Sequence, residues 1–288
     1  MAEPKARILH DQAEATAAGL PPLLIEAERV AASLAQGIHG RRRSGPGENF
    51  WQFRRYQQGD AATAIDWRQS AKSDPLFVRE TEWEAAQAAW LWADGSPSMR
   101  WRSSDALPEK AARAALLALA LAVLLLRGGE RVGLLGGATT LSSGRSALPR
   151  LAAGLSERRD GGLPVGALPR AGLAVLISDF LMPLPEIEAS LRQWAGGGAR
   201  GILVHLLDPA ELALPYVGRV RFAGLEGEGE MLAPRAEALR EAYAQRLAEH
   251  RDGLDTIARK LGWSLQTHRT DDPARDGLVA LYSALAGH

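Results

Sequence analysis

The sequence predicts an α/β fold: a mainly parallel sheet with helices on both faces, preceded by a small N-terminal α+β module. Three observations predict it. From Trp90 onward, short apolar segments of strand length alternate with longer segments of helical length. The short segments are continuously apolar, the pattern of strands buried on both faces and joined by helical crossovers. The longest apolar run, Ala114 to Leu126, contains only Ala, Leu and Val, and Lys110 and Arg113 precede it. It is shorter than the roughly 20 residues a bilayer span needs, and it reads as a helix buried on nearly all sides.

The elements follow in chain order. Residues 1–36 form an N-terminal helical segment. Apolar residues recur at Leu23, Leu24, Ala27, Val30, Ala31 and Leu34 at helical spacing, after the break at Pro21-Pro22 and before Gly37. Residues 37–87 are glycine-rich and basic at first, from Gly37 to Gly47, and then rich in aromatics beside arginine. Phe50-Trp51-Gln52-Phe53-Arg54-Arg55-Tyr56 is followed by Gly59-Asp60, Ile65-Asp66-Trp67-Arg68 and an extended segment, Pro75 to Glu82. With little room for a core, such a module docks on a neighbour through aromatics and Arg–Asp pairs. Residues 88–288 carry the sheet. Its strands are expected at 89–93, 131–135, 173–178, 201–207 and 263–268, and its helices at 107–127, 146–157, 184–195, 235–261 and 274–286. Residues 138–141 are a candidate edge strand. A β-hairpin insertion is expected near 214–233, with turn residues from Gly224 to Gly229.

Composition bounds the partners. The chain has 288 residues, 46% hydrophobic and 24% charged, with 34 basic and 34 acidic side chains. That balance gives no electrostatic pull toward nucleic acid or anionic lipid. No nucleic acid and no membrane span are expected. There is no cysteine, so disulfides, thiolate metal sites and cysteine nucleophiles are excluded. The N-terminus has no apolar core of signal-peptide type. Together these lead to the expectation of a soluble, cytoplasmic protein.

The chemistry gathers at Trp90-Leu91-Trp92-Ala93-Asp94-Gly95-Ser96-Pro97-Ser98. An apolar strand stops at an aspartate, and two serines follow at alternate positions. One carboxylate and two hydroxyls on one tight loop suit a hard divalent cation such as Mg²⁺, with Mn²⁺ as a substitute. The competing reading is an ordinary strand-to-helix loop in which Asp94 or Ser96 caps the next helix. Ligands of open parallel sheets bind at the carboxyl ends of the strands. Asp179, in Leu176-Ile177-Ser178-Asp179, and Asp208, in Leu206-Leu207-Asp208-Pro209, stand at two further such ends. The carboxylates converge if these strands lie side by side. The six histidines show no metal-ligand spacing, and no phosphate-binding glycine loop is present.

The Asp-x-Ser-x-Ser loop, the long buried helix and the later Ser-Asp resemble the von Willebrand factor A fold and its metal-ion-dependent adhesion site. The upstream segment is more specific. Gly45-Pro46-Gly47-Glu48-Asn49-Phe50, Arg54-Arg55-Tyr56-Gln57-Gln58-Gly59-Asp60, Ile65-Asp66-Trp67, Ala71-Lys72 and Val78-Arg79-Glu80 resemble the signature of the bacterial DUF58 family. Its members place this module directly before a von Willebrand A-like domain. The resemblance implies a Rossmann-type sheet with Asp94, Ser96, Ser98 and Asp179 as metal ligands. The remaining ligand, a threonine in the family pattern, falls in Ser142-Ser143-Gly144-Arg145-Ser146. There Ser146 is the candidate, and Arg145 is an alternative source of positive charge. It also implies a MoxR-type AAA+ ATPase as partner, with this chain as adaptor or chaperone and an unnamed client protein. Many members begin with two membrane-spanning helices, which residues 1–36 lack.

Three functions follow. The first is a non-enzymatic interaction module that docks a partner carboxylate through a Mg²⁺ held by Asp94, Ser96, Ser98 and Asp179. The second is a metal-dependent hydrolase using Asp94 or Asp179, against which stands the lack of a nucleophile–base arrangement. The third is a von Willebrand A-like scaffold with a vestigial metal loop, contacting its partner through Arg54, Arg55 and Trp67.

Overall fold

The apolar segments assemble into one five-stranded, all-parallel sheet. The computed structural model describes residues 27–31, 50–55, 70, 76–81, 88–136, 140–157, 161–164 and 172–286. Contacts divide the chain into two units, residues 1–36 with 87–288, and residues 37–86.

In the smaller unit, β1 (Phe50–Arg55) pairs antiparallel with β2 (Phe77–Thr81), with Arg54 opposite Val78, Arg55 opposite Phe77 and an irregularity between Phe50 and Gln52. The start of β2 is pinned by the Phe77 N–H, which donates to Ser70 Oγ at 2.8 Å. Arg54 and Arg55, two of the contact residues expected from the sequence, thus occupy adjacent positions on β1. Trp67, the third, lies outside the described residues.

The larger unit runs β3 (Ala88–Ala93), α1 (Lys110–Arg127), β4 (Arg131–Leu134), α2 (Leu148–Ser156), β5 (Leu173–Ser178), α3 (Leu184–Gly196), β6 (Arg200–Leu207), α4 (Pro209–Ala213), β7 (Val220–Ala223), β8 (Glu230–Ala233), α5 (Arg240–Lys260), β9 (Ser264–Arg269) and α6 (Ala274–Ala286). The spatial order of the sheet is β4-β3-β5-β6-β9. The chain leaves β3 on one side to form β4 and then crosses back to β5. The reversal therefore falls between β3 and β5, where open sheets form their ligand crevice.

Both faces are covered. Helices α1, α2 and α6 lie together on one face, and α3 and α5 pair on the other. Leu117, Ala118, Leu119, Ala120 and Leu121 are all fully buried, so no side of that part of α1 meets solvent. Each buried leucine contributes about 1.5–3 kcal/mol. The opposite face is built on tryptophan. Trp90 and Trp92 of β3 join Leu176, Leu203, Trp194 and Trp263 in one cluster. The rings of Trp194 and Trp263 stack with centroids 6.3 Å apart. Gly201 makes that packing feasible, because a Cβ there would lie 2.1 Å from the Trp263 ring.

The differences from the sequence expectation are local. Helix α1 begins at Lys110, not at residue 107, since Pro108 disfavours helical backbone at Leu107. Helix α5 begins at Arg240, with a 3-10 turn over Ala236–Leu239 where continuous helix was expected. Of the candidate edge strand at 138–141, residues 138 and 139 lie outside the described residues, and just after it Ser142 forms one antiparallel bridge with Val132. Helix α4 was not expected. It is set by a capping box: the Asp208 carboxylate accepts from the Ala210 N–H at 2.8 Å, and Glu211 reaches back to the Asp208 N–H at 2.7 Å.

Candidate functional site

Asp94 follows β3 and Asp179 follows β5, so the two aspartates stand on the strands that flank the reversal. The Asp94 N–H still donates to the Ile177 carbonyl at 2.9 Å, which continues the sheet pairing to the first residue of the loop. Beyond it the chain turns at once. Ser96 N–H donates to Asp94 Oδ1 at 2.8 Å, and a short 3-10 turn over Ser98–Arg100 aims Ser98 back at the sheet edge. Ser96 Oγ lies 3.1 Å from Ser98 Oγ, and Ser98 Oγ donates to Asp179 Oδ2 at 2.8 Å. The structure therefore brings together Asp94, Ser96, Ser98 and Asp179, all expected from the sequence. None is more than 5% exposed.

Ser146 is not among them. It is exposed on the 3-10 turn that precedes α2, and among the described residues no hydrogen bond joins it to the aspartates. Its neighbour Arg145 pairs with Glu28 at 2.5 Å. Among the described residues Gly161 approaches the loop: a Cβ there would meet Ser96 Cβ at 3.0 Å.

Asp208 was expected at this edge, but Lys110, Glu211, the Ser178 hydroxyl and the Ser103 N–H escaped sequence reasoning. Lys110, at the first position of α1, is 1% exposed. Its ammonium donates to Asp179 Oδ2 at 2.8 Å and to Glu211 Oε1 at 2.5 Å. Ser178 Oγ donates to Asp94 Oδ2 at 2.6 Å. Asp208 Oδ2 accepts the Ser103 N–H at 2.9 Å, which ties the loop before α1 to the end of β6. One signal was present in the sequence, the Asp-x-x-Glu pattern of residues 208–211, which is the mark of a capping box. Lys110 carried none.

The charges are matched internally. Burial alone would favour a neutral Lys110 amine, but Asp179 and Glu211 outweigh it and hold the pKa above that of an ordinary lysine. Burial raises the Asp94 carboxyl above the usual range. Hydrogen bonds from Ser178 and Ser96 oppose that rise, and the Asp179 charge adds to it. Asp208 is answered by the N–H groups of Ala210 and Ser103.

The donor chemistry of the loop, carboxylate and hydroxyl oxygen, suits Mg²⁺. Its present bonding does not. Both oxygens of Asp94 accept hydrogen bonds, and Asp179 Oδ2 accepts from both Ser98 and Lys110. A divalent ion within ~4 Å of the Lys110 ammonium would meet a repulsion of about 8 kcal/mol at an effective dielectric of ~20.

Two features lie beneath this layer. Phe180, fully buried, adopts φ +49°, a strained backbone for a phenylalanine. Its carbonyl accepts from His250 Nε2 at 2.8 Å. His205 of β6, in register with Ser178, is fully buried, and neither ring nitrogen has a hydrogen-bond partner among the described residues. Burial, reinforced by Arg251, lowers its pKa to about 4.

A family model described as "Protein of unknown function DUF58" matches residues 52–253. The curated relatives include the uncharacterized proteins Rv1480 of Mycobacterium tuberculosis and Mb1516 of Mycobacterium bovis. Each is 30% identical over 300 residues, covering 94% of this chain and 92% of its own. Similar solved structures include an aerotolerance-related membrane protein from Bacteroides fragilis and BatB from Bacteroides thetaiotaomicron. Both have a TM-score of 0.40 and 14% identity, covering 70% of this chain and 100% of theirs. A membrane-spanning protein from Vibrio fischeri matches with a TM-score of 0.20 and 16% identity, over 70% of this chain and 98% of its own. The Bacteroides fragilis and Vibrio fischeri proteins are described as membrane proteins, which runs against the cytoplasmic placement expected from the sequence, and that placement is withdrawn. That expectation rested on missing cysteines, a missing apolar span and an N-terminus without a signal-peptide core, and none of these features determines a compartment. What holds is narrower: no described helix is long and apolar enough to cross a membrane. Near-full-length similarity to the mycobacterial proteins and a family match over most of the sheet-bearing unit lead to one conclusion: the chain belongs to the DUF58 family.

Proposed function

We propose that this chain is a von Willebrand A-like scaffold that works as a non-enzymatic interaction module, as adaptor or chaperone-like partner of a MoxR-type AAA+ ATPase. One observation carries the reading. Each carboxylate at the carboxyl edge of β3, β5 and β6 is consumed by an internal bond: Asp94 by Ser96 and Ser178, Asp179 by Ser98 and Lys110, Asp208 by Ala210 and Ser103, Glu211 by Lys110 and Asp208. A general acid or base needs a proton it can exchange with a substrate. These groups are committed to holding loops in place, which favours a shaped docking edge over a reaction centre. The Arg-rich strand β1 supplies the second contact element.

The experiment is affinity capture with the full-length tagged chain from its native host. Recovery of an AAA+ ATPase is expected. The paired substitution Arg54→Glu with Arg55→Glu is expected to lower recovery at least tenfold. Hydrolytic turnover in a phosphatase or nuclease screen, lost in Asp94→Ala, would overturn the reading.

A further inference from the structure

We propose that Lys110 is the resident cation of the Asp-x-Ser-x-Ser site: its ammonium supplies the positive charge that a divalent ion would otherwise bring, and the wild-type loop closes without metal. The argument rests on bonds already made. Lys110 enters from the first turn of α1 and is buried almost completely. Its Nζ reaches carboxylates from two other parts of the fold, Asp179 after β5 and Glu211 on α4. The hydroxyl relay from Ser96 through Ser98 ends on Asp179 Oδ2, the same oxygen that Lys110 holds. An oxygen with two lone pairs, both taken, has none left for a metal. Asp94 is engaged more lightly, with one hydrogen bond on each oxygen, from the Ser96 N–H to Oδ1 and from Ser178 Oγ to Oδ2.

An ammonium and a Mg²⁺ differ in what they demand. The ion requires near-octahedral oxygen ligands and keeps several waters. The ammonium needs only two or three acceptors and brings no water with it. Replacing ion by lysine therefore turns an open, hydrated position into a dry, closed one. The closed form agrees with the burial of Ser96 and Ser98 and with the approach of Gly161 to Ser96. Removal of the ammonium would leave Asp179, Glu211 and Ser98 as oxygen donors around a vacated position, a set suited to Mg²⁺ or Mn²⁺.

The test is Mn²⁺ titration of the full chain followed by electron paramagnetic resonance, with thermal unfolding in Mg²⁺ and in EDTA. Wild type is expected to take up no Mn²⁺ and to melt at the same temperature in both solutions. Lys110→Ser is expected to take up one Mn²⁺ per chain and to melt higher in Mg²⁺. Both gains are expected to disappear when Asp179→Asn is added. Uptake of one Mn²⁺ by wild type, lost in Asp94→Ala, would overturn the proposal, as would a folded Lys110→Ser that takes up none. Should Lys110→Ser fold only with Mn²⁺ present, the proposal is supported. Should it fail to fold in either solution, Lys110→Arg decides together with wild type: exclusion of Mn²⁺ by both supports the proposal, and uptake by either overturns it. The titration contains no partner protein, so its outcome is independent of the affinity capture.

Discussion

A lysine that is 1% exposed persists in a fold only where its charge is met at close range, and Lys110 is met twice. Removal of one member of a buried ion pair leaves the others without a counter-charge. Lys110→Met is therefore expected to cost about 3–5 kcal/mol of stability, measured by urea denaturation. Asp179→Asn in the same chain should recover part of the loss. Asp94, Ser96, Ser98 and Asp179 were legible in the sequence because they stand at or just after the ends of apolar strands and declare themselves by position. Lys110 was not legible, because a lysine at the start of a helix ordinarily sits in solvent. Only the fold brings Asp179 and Glu211 to it. Ser146 was assigned by its place in a family pattern, yet that stretch runs outside the cluster on an exposed turn.

At the scale of elements, α4 shows how a short helix can organise a site. Five residues hold no stable helix by themselves. The capping box does it, and the same two side chains also reach outward, Asp208 to the Ser103 N–H and Glu211 to Lys110. Asp208→Ala is expected to cost about 1–2 kcal/mol and to speed amide exchange at Ser103 and Ala210, measured by hydrogen exchange. The strands and long helices were legible because strand-length apolar runs and helical periodicity survive without tertiary context. Pro108, which moves the start of α1, was in plain view.

At the scale of the whole molecule, the order β4-β3-β5-β6-β9 makes three aspartates neighbours. The alternation of strand and helix implied a parallel sheet, but it did not fix that order. Burial of histidine in the same sheet sets the response to acid. His205 titrates at about 4 in the folded state, below the ordinary 6.5. Between those values the folded chain binds fewer protons than the unfolded chain, so stability rises with pH and is lost on acidification. From pH 7 to pH 5 this one residue is expected to remove about 2 kcal/mol. His268, lowered to about 4 by burial and by Arg113, acts in the same direction. Denaturant unfolding at the two pH values checks this, and His205→Leu should shrink the difference by the share of that residue.

The pairing of Lys110 also has a consequence in time. It joins residues 69 and 101 positions apart in the chain, and Ser98 joins Asp179 across 81. A ribosome delivers Lys110 long before either carboxylate exists, and the ammonium stays in water until β5 and α4 have docked. Contacts of such long range form late. The rivet is therefore set after the sheet is built, and it opposes unfolding more than it guides folding. In Lys110→Met the lost stability should emerge as a faster unfolding rate with little change in the folding rate. The lysine thus acts chiefly on the lifetime of the native state.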